Sequence, residues 1–274
     1  MEITLKYMTL IFFGLALSAC GDDSDKSGGD VEISASGFER LAAARFNPDG
    51  TRLAMVGQNG DAYSLISTND TGGDVKVLAP DGLDYLSAVA WTADGNTVYY
   101  SGDDGILRVA ADGNGTPELV VDDFAVMQID LSPDGKSLAY STNGGVSIRL
   151  ADLSTFESTP IQSDTTGTSG SGPRFSPNGE KVVYVSGEDF KFADAAFMTE
   201  VDGPTGADYL ANAAWIDDKT IIYLGDDKIR TWSDDGNATP LRDAFAGMDI
   251  DFNAATSRYI YGTNGSPDLT LAEY

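Results

Sequence analysis

Short apolar runs separated by polar, glycine-bearing turns recur along most of the chain. Runs such as Leu53-Ala54-Met55-Val56, Leu138-Ala139-Tyr140 and Val182-Val183-Tyr184-Val185 each follow a tight-turn sequence. Six segments align on this pattern: Ala44-Arg45-Phe46-Asn47-Pro48-Asp49-Gly50, Val89 to Gly95, Ile129 to Gly135, Pro173 to Gly179, Ala213 to Asp218, and Ile250 to Ala255. Their large apolar residues, Phe46, Trp91, Leu131, Phe175, Trp215 and Phe252, lie 45, 40, 44, 40 and 37 residues apart. Proline presets the first turn dihedral, and Asp-Gly or Asn-Gly tolerates the left-handed residue that a tight hairpin demands. Strand, turn and strand at a period near forty is the pattern of a propeller blade. The fold expected is all-β: a six-bladed β-propeller of four-stranded blades. The last copy runs out one strand short, at Tyr274. The alternating segment Val31-Glu32-Ile33-Ser34-Ala35-Ser36 is expected to complete that blade and remove an open edge.

The repeated Phe/Trp-Ser-Pro-Asp-Gly turn followed by an apolar strand resembles the TolB-like, or PD40, propeller repeat over residues 31–274. The fifth copy lacks the glycine, and the sixth lacks both proline and glycine. TolB carries an additional N-terminal domain for which this chain has no room. The resemblance therefore implies the fold and not TolB's own role.

A longer period lies inside the repeats. Gly82-Leu83-Asp84-Tyr85-Leu86 matches Gly206-Ala207-Asp208-Tyr209-Leu210, and Phe124 to Asp130 matches Phe245 to Asp251. The residue before each large apolar position runs Arg45, Ala90, Asp130, Arg174, Ala214, Asp251. Arg, Ala, Asp thus repeats twice, so blades one to three read as a copy of blades four to six around a pseudo-two-fold axis.

The amino-terminal end differs in kind. Met8 to Ala19 is apolar but shorter than the roughly 20 residues needed to span a bilayer, and it suits a signal-peptide core. Leu17-Ser18-Ala19-Cys20 resembles a bacterial lipobox. That resemblance implies cleavage after residue 19 and lipidation of Cys20, the one cysteine in the chain, by two or three acyl chains, since one anchors only marginally. Residues 20–30 are polar, acidic and glycine-rich, a flexible tether. Asp23-x-Asp25-x-Ser27-Gly28 imitates the start of a calcium loop, but Ser34 stands where its bidentate glutamate belongs. With Gly21 after the cysteine, the lipoprotein resemblance implies an outer-membrane address, periplasmic or surface-exposed. The division expected is signal peptide 1–19, lipidated cysteine and tether 20–30, and propeller 31–274.

Composition narrows the chemistry. With 43 acidic and 17 basic residues the formal charge is −26, which disfavours nucleic acid as a partner. The absence of histidine removes Ser-His-Asp and Cys-His catalysis and imidazole metal sites. The sequence calls for no cofactor. Asp112-Gly113 and Asp234-Asp235-Gly236 offer oxygen ligands for weak calcium binding, although solvated turns are the plainer reading. Near the axis, Arg45, Asp130, Arg174 and Asp251 read either as a polar channel that binds a ligand or as two inter-blade ion pairs, Asp130 with Arg174 and Asp251 with Arg45. Asp84-Tyr85 and Asp208-Tyr209 would face each other across one mouth of the channel, as contact surface or as turn cap and core cover. Trp232, set against the small Ala110 of the duplicated copy, is a candidate exposed contact. The expectation is a monomeric, non-catalytic module that binds a protein, peptide or glycan. Its rival is a glycan- or peptide-degrading enzyme using aspartates with calcium assistance.

Overall fold

The computed structural model describes residues 30–84, 87–142, 148–160, 170–195, 199–206, 213–244, 249–263 and 266–274. All the described regular structure is β. Strand β1 (Val31–Ile33) comes first and belongs to no hairpin. Blade 1 contains β2 (Arg40–Phe46), β3 (Arg52–Asn59), β4 (Ala62–Asn69) and β5 (Lys76–Ala79). Blade 2 contains β6 (Val89–Trp91), β7 (Thr97–Gly102), β8 (Gly105–Ala110) and β9 (Glu118–Val121). Blade 3 follows with β10 (Val126–Leu131), β11 (Ser137–Thr142), β12 (Ile148–Asp152) and β13 (Ser158–Pro160). Blade 4 holds β14 (Gly170–Phe175), β15 (Lys181–Ser186), β16 (Asp189–Asp194) and β17 (Glu200–Thr205). Blade 5 holds β18 (Ala213–Trp215), β19 (Thr220–Gly225), β20 (Lys228–Ser233) and β21 (Ala238–Asp243). Blade 6 has β22 (Asp249–Asn253), β23 (Arg258–Gly262) and β24 (Leu269–Glu273), with β1 as its outermost strand.

Six antiparallel four-stranded sheets in a ring make the expected propeller. The predicted closure is present: Val31, Glu32 and Ile33 pair with Leu271, Thr270 and Leu269. Joining the first strand to the last blade ties the two ends of the ring and covers an otherwise open edge. Arg242 of blade 5 also pairs with Asp30, just ahead of β1.

The first turns of the blades and the third turns of blades 1–5 lie at one end of the ring, because consecutive strands are antiparallel. In the first four blades the glycine after β2, β6, β10 or β14 sits at φ between +69° and +72°, a conformation that side-chain-bearing residues rarely adopt. The preceding Asp or Asn side chain accepts the backbone N–H two residues on, as Asp49 does from Thr51 (2.9 Å) and Asp94 from Asn96 (3.0 Å). The eroded copies keep this bond by other means. Asp217 accepts from Lys219 N (2.8 Å) in a turn one residue shorter, and Asn253 accepts from Thr256 N (3.0 Å) while donating to the carbonyls of Asn47 and Pro48.

The core is a set of apolar seams between neighbouring blades. Second strands carry its largest side chains, among them Tyr100, Tyr140, Tyr184, Tyr223 and Tyr259, all buried. The aromatics at the repeat position lie in these seams: Phe46, Phe175 and Trp215 are buried, and Trp91 and Phe252 pack against the seams partly covered. Among the described residues no helix is long and apolar enough to cross a membrane. The expected signal peptide, Cys20 and nearly all of the expected tether lie outside the described residues.

Candidate functional site

The inner strands bring five charged side chains to the axis. Arg45 and Arg174 occupy equivalent places, each just after a register slip in its pairing: between Ala42 and Arg45 in β2, and between Ser171 and Arg174 in β14. A bulge re-aims the side chain that follows it, and here it turns both guanidinium groups toward the axis. Blades 3 and 6 supply Asp130, Asp249 and Asp251 from β10 and β22.

Half of this arrangement obeys the two-fold repeat. Phe46 N donates to Asp251 Oδ2 at 2.9 Å, and Phe175 N donates to Asp130 Oδ2 at 2.7 Å. Trp91 Nε1 donates to Arg45 O at 3.0 Å, and Trp215 Nε1 donates to Arg174 O at 2.9 Å. Each half therefore locks its aspartate to one neighbouring inner strand and its tryptophan to another.

The ion pairs break the repeat. Asp130 and Arg174 are paired as expected, though at 3.7 Å. The expected partnership of Arg45 with Asp251 is corrected: Arg45 Nη1 bonds both oxygens of Asp249, at 2.7 and 2.9 Å. Asp251 instead receives Arg174 Nη2 at 2.5 Å, from a blade that is not its neighbour. One substitution in the duplication explains the change. Asp249 stands where the other half has Gln128. A carboxylate beside Arg45 captures it, whereas the equivalent position on β10 is an amide and Arg174 bonds Asp251 two blades away.

Three carboxylates therefore share two guanidinium groups, leaving one net negative charge in a confined space. The side chains of Arg45 and Asp251 retain only 8% and 7% of their exposure, so pairing is required rather than optional. Burial pushes both Asp130 and Asp249 above the ordinary carboxylate range, against the pull of their arginines. All three aspartates are engaged by arginine, and two of them also by backbone amides. Of the axial arginine donors, Arg45 Nε and Arg174 Nη1 are buried without a hydrogen-bond partner among the described residues.

The other sequence candidates fare differently. Asp84 closes a local turn: its N–H donates to Ser87 Oγ (2.9 Å), and its carbonyl accepts from Ser87 N (3.2 Å). That bonding fits the turn-cap alternative, and the residue itself is exposed. Tyr85, Asp208 and Tyr209 lie outside the described residues. Strand register shifts the comparison made for Trp232 by one position. Trp232 pairs with Ile221 and Val109 with Val98, so its counterpart is Val109 and not Ala110. Asp112 and Asp235 act as turn acceptors for Asn114 N and Asn237 N, and no metal-holding group of three acidic or thiol residues occurs among the described residues. Sequence reasoning missed Asp249. The signal was its mismatch with Gln128 inside an otherwise faithful repeat.

No protein-family model and no curated protein matches the chain. Solved structures do. TolB from Acinetobacter baumannii is 18% identical with a TM-score of 0.64, covering 82% of this chain, which spans 64% of that protein. A putative TolB from Agrobacterium tumefaciens is also 18% identical, with a TM-score of 0.59 over 76% of this chain and 82% of its own. An auxiliary nutrient binding protein from Bacteroides ovatus is 12% identical with a TM-score of 0.66, covering 86% and 69%. At these identities the likeness concerns architecture: the chain is a six-bladed β-propeller similar in fold to TolB proteins.

Proposed function

We propose that the chain is a non-catalytic binding module of a Gram-negative cell envelope, anchored through lipid on Cys20 and presenting its propeller to a protein, peptide or glycan. The observation that carries this reading is the state of the axial carboxylates. A raised carboxylate in a confined site is one mark of a catalytic acid. Asp130 and Asp249 have that mark, yet each is held by an arginine, and Asp130 also by the Phe175 amide. Groups so committed brace the ring instead of attacking a substrate. The donors left over, Arg45 Nε and Arg174 Nη1, are what the axis offers an acceptor group of a partner. Similarity in fold to TolB proteins and to a nutrient binding protein supports an envelope setting.

Two measurements on the full chain in its native envelope test this. Cross-linked capture is expected to return a stoichiometric partner, and Cys20→Ala to move the protein to the soluble fraction. Turnover of glycans or peptides that disappears in Asp130→Asn would replace the binding reading with the enzyme. Membrane retention of the Cys20→Ala protein would remove the anchor.

A further inference from the structure

The junctions between blades 1 and 2 and between blades 4 and 5 are equivalent under the repeat, yet they are filled differently. Strand register aligns Arg52 with Lys181, Ser67 with Phe192, Lys76 with Val201 and Val109 with Trp232. In the first junction the protein supplies its own cation. The Arg52 guanidinium lies against Ser67 Oγ (3.1 Å) and the Asp74 carboxylate (2.6 Å). In the second junction Lys181 is shorter and is drawn aside, donating to Asp218 O at 3.2 Å and lying 3.8 Å from Asp234. No guanidinium occupies that junction.

A cavity of about 710 Å³ opens there, at the end of the ring that carries the first and third turns. This is within the usual size of small-molecule sites, roughly 300–1,000 Å³. Its floor is aromatic. Phe192 stacks on Trp232 with centroids 4.7 Å apart and meets Trp215 edge-on at 5.6 Å. Val201, 62% exposed, adds an apolar wall in place of Lys76. Five carboxylates line the rim, those of Glu180, Asp194, Asp202, Asp234 and Asp235, against the two amines of Lys181 and Lys219. Electron-rich ring faces under a net negative rim attract cations, and a chain of charge −26 repels anions from the same place.

We propose that this cleft binds an organic cation, a guanidinium or ammonium group carried on an apolar stem, in the position that Arg52 fills in the other half. The group enters over the indole of Trp232, its stem lies along Val201, and the rim carboxylates balance its charge. The same chemistry reaches the cleft either as a free small amine or as the basic side chain of a peptide. The site is separate from the axis and stands whether or not the axis engages a partner.

Calorimetry and tryptophan fluorescence on the full chain in detergent test the proposal, with agmatine as the free cation and an end-blocked Gly-Arg-Gly peptide as the side-chain source. Saturable binding of either supports it, and the tighter of the two identifies the source. Val201→Lys, which restores the blade 1 residue, is expected to weaken binding about tenfold, and Trp232→Val, which restores the blade 2 residue, by about fivefold. Both variants place residues that the fold already accommodates in the other half, and their melting temperatures report that they remain folded. Affinity should also fall as salt rises. The proposal is overturned if neither probe binds up to about 10 mM, a concentration weaker than any useful site. It is equally overturned if a neutral trisaccharide binds in their place, or if both variants bind as the parent does.

Discussion

Blades 1–3 and blades 4–6 carry the same Arg-Ala-Asp inner-strand code, the same bulge before each axial arginine and the same tryptophan bonds, and two of the differences between them change charge or volume at a candidate site. At the axis, Gln128 in one half faces Asp249 in the other, and that difference decides which arginine pairs locally and which spans the ring. At the blade junctions, Arg52 bonds Ser67, whereas the equivalent Lys181 and Phe192 line an aromatic-floored cleft. The backbone framework is retained where hydrogen bonds to main-chain atoms hold neighbouring strands in register. Side chains diverge where a change alters charge or volume without breaking such a bond. The duplication thus separates residues that build the ring from residues free to acquire a use.

This comparison can be broken most directly at Asp251. Its carboxylate serves the framework (Phe46 N) and the divergent pair (Arg174) at once. Asp251→Ala leaves a buried guanidinium and a buried amide without their acceptor, and is expected to cost roughly 3–5 kcal/mol in denaturant melts. A loss under about 0.5 kcal/mol, typical of surface substitutions, would show that the axis is not braced in this way.

Asp249→Gln makes the two halves alike and removes the excess negative charge. It also takes the carboxylate partner from buried Arg45, and is expected to cost up to about 3 kcal/mol, less than Asp251→Ala because the glutamine oxygen can still accept from that guanidinium. The pH dependence gives the sharper reading. Burial raises Asp249 and Asp130 above the ordinary carboxylate value, so the folded state holds their protons more tightly than the unfolded chain does. Their stabilising contribution is full below the ordinary value and is lost as pH rises through the raised one. The Gln variant lacks the Asp249 part of that loss. Relative to the parent it should gain stability as pH rises above about 4, the ordinary carboxylate region. A variant that loses ground with rising pH would contradict the burial effect.

The smallest effect is expected at a turn aspartate, a framework group facing water. Asp134 accepts from Ser132 Oγ, Lys136 N and Lys136 Nζ, and these bonds pull it down to about 2. Here the sign reverses: stability is present above the ordinary carboxylate value and is lost as pH falls toward 2. Asp134→Ala should lower the melting temperature at pH 7 by less than either axial variant, and the difference should vanish near pH 2. A larger effect than that of Asp251→Ala would invert the order of the comparison.

Much of this was legible in the chain itself. The turns declare the blades, because Pro-Asp-Gly encodes backbone dihedrals locally, and the period near forty counts them. The closing strand was legible from one missing strand at one end and one unassigned alternating segment at the other. The axial residues Arg45, Asp130, Arg174 and Asp251 were legible as a set from their repeat position. Their partners were not. Pairing across the axis depends on where a bulge aims each arginine and on whether a carboxylate or an amide stands beside it, and Asp249 had to be placed before Asp251 could be assigned. The counterpart of Trp232 was placed one residue off because the apolar pattern alone does not fix which residues face each other across a strand pair; the register sets it at Val109.

The sequence by itself determined the number of blades, their turns, the closure and the duplication, since each follows from short-range dihedral preferences and from periodicity. Only the tertiary structure decided which arginine meets which aspartate, and that the junction of blades 4 and 5 holds an aromatic-floored cavity. Those outcomes rest on distances between residues far apart in the chain, and on whether a side chain of given length and charge reaches its partner once the backbones are in place.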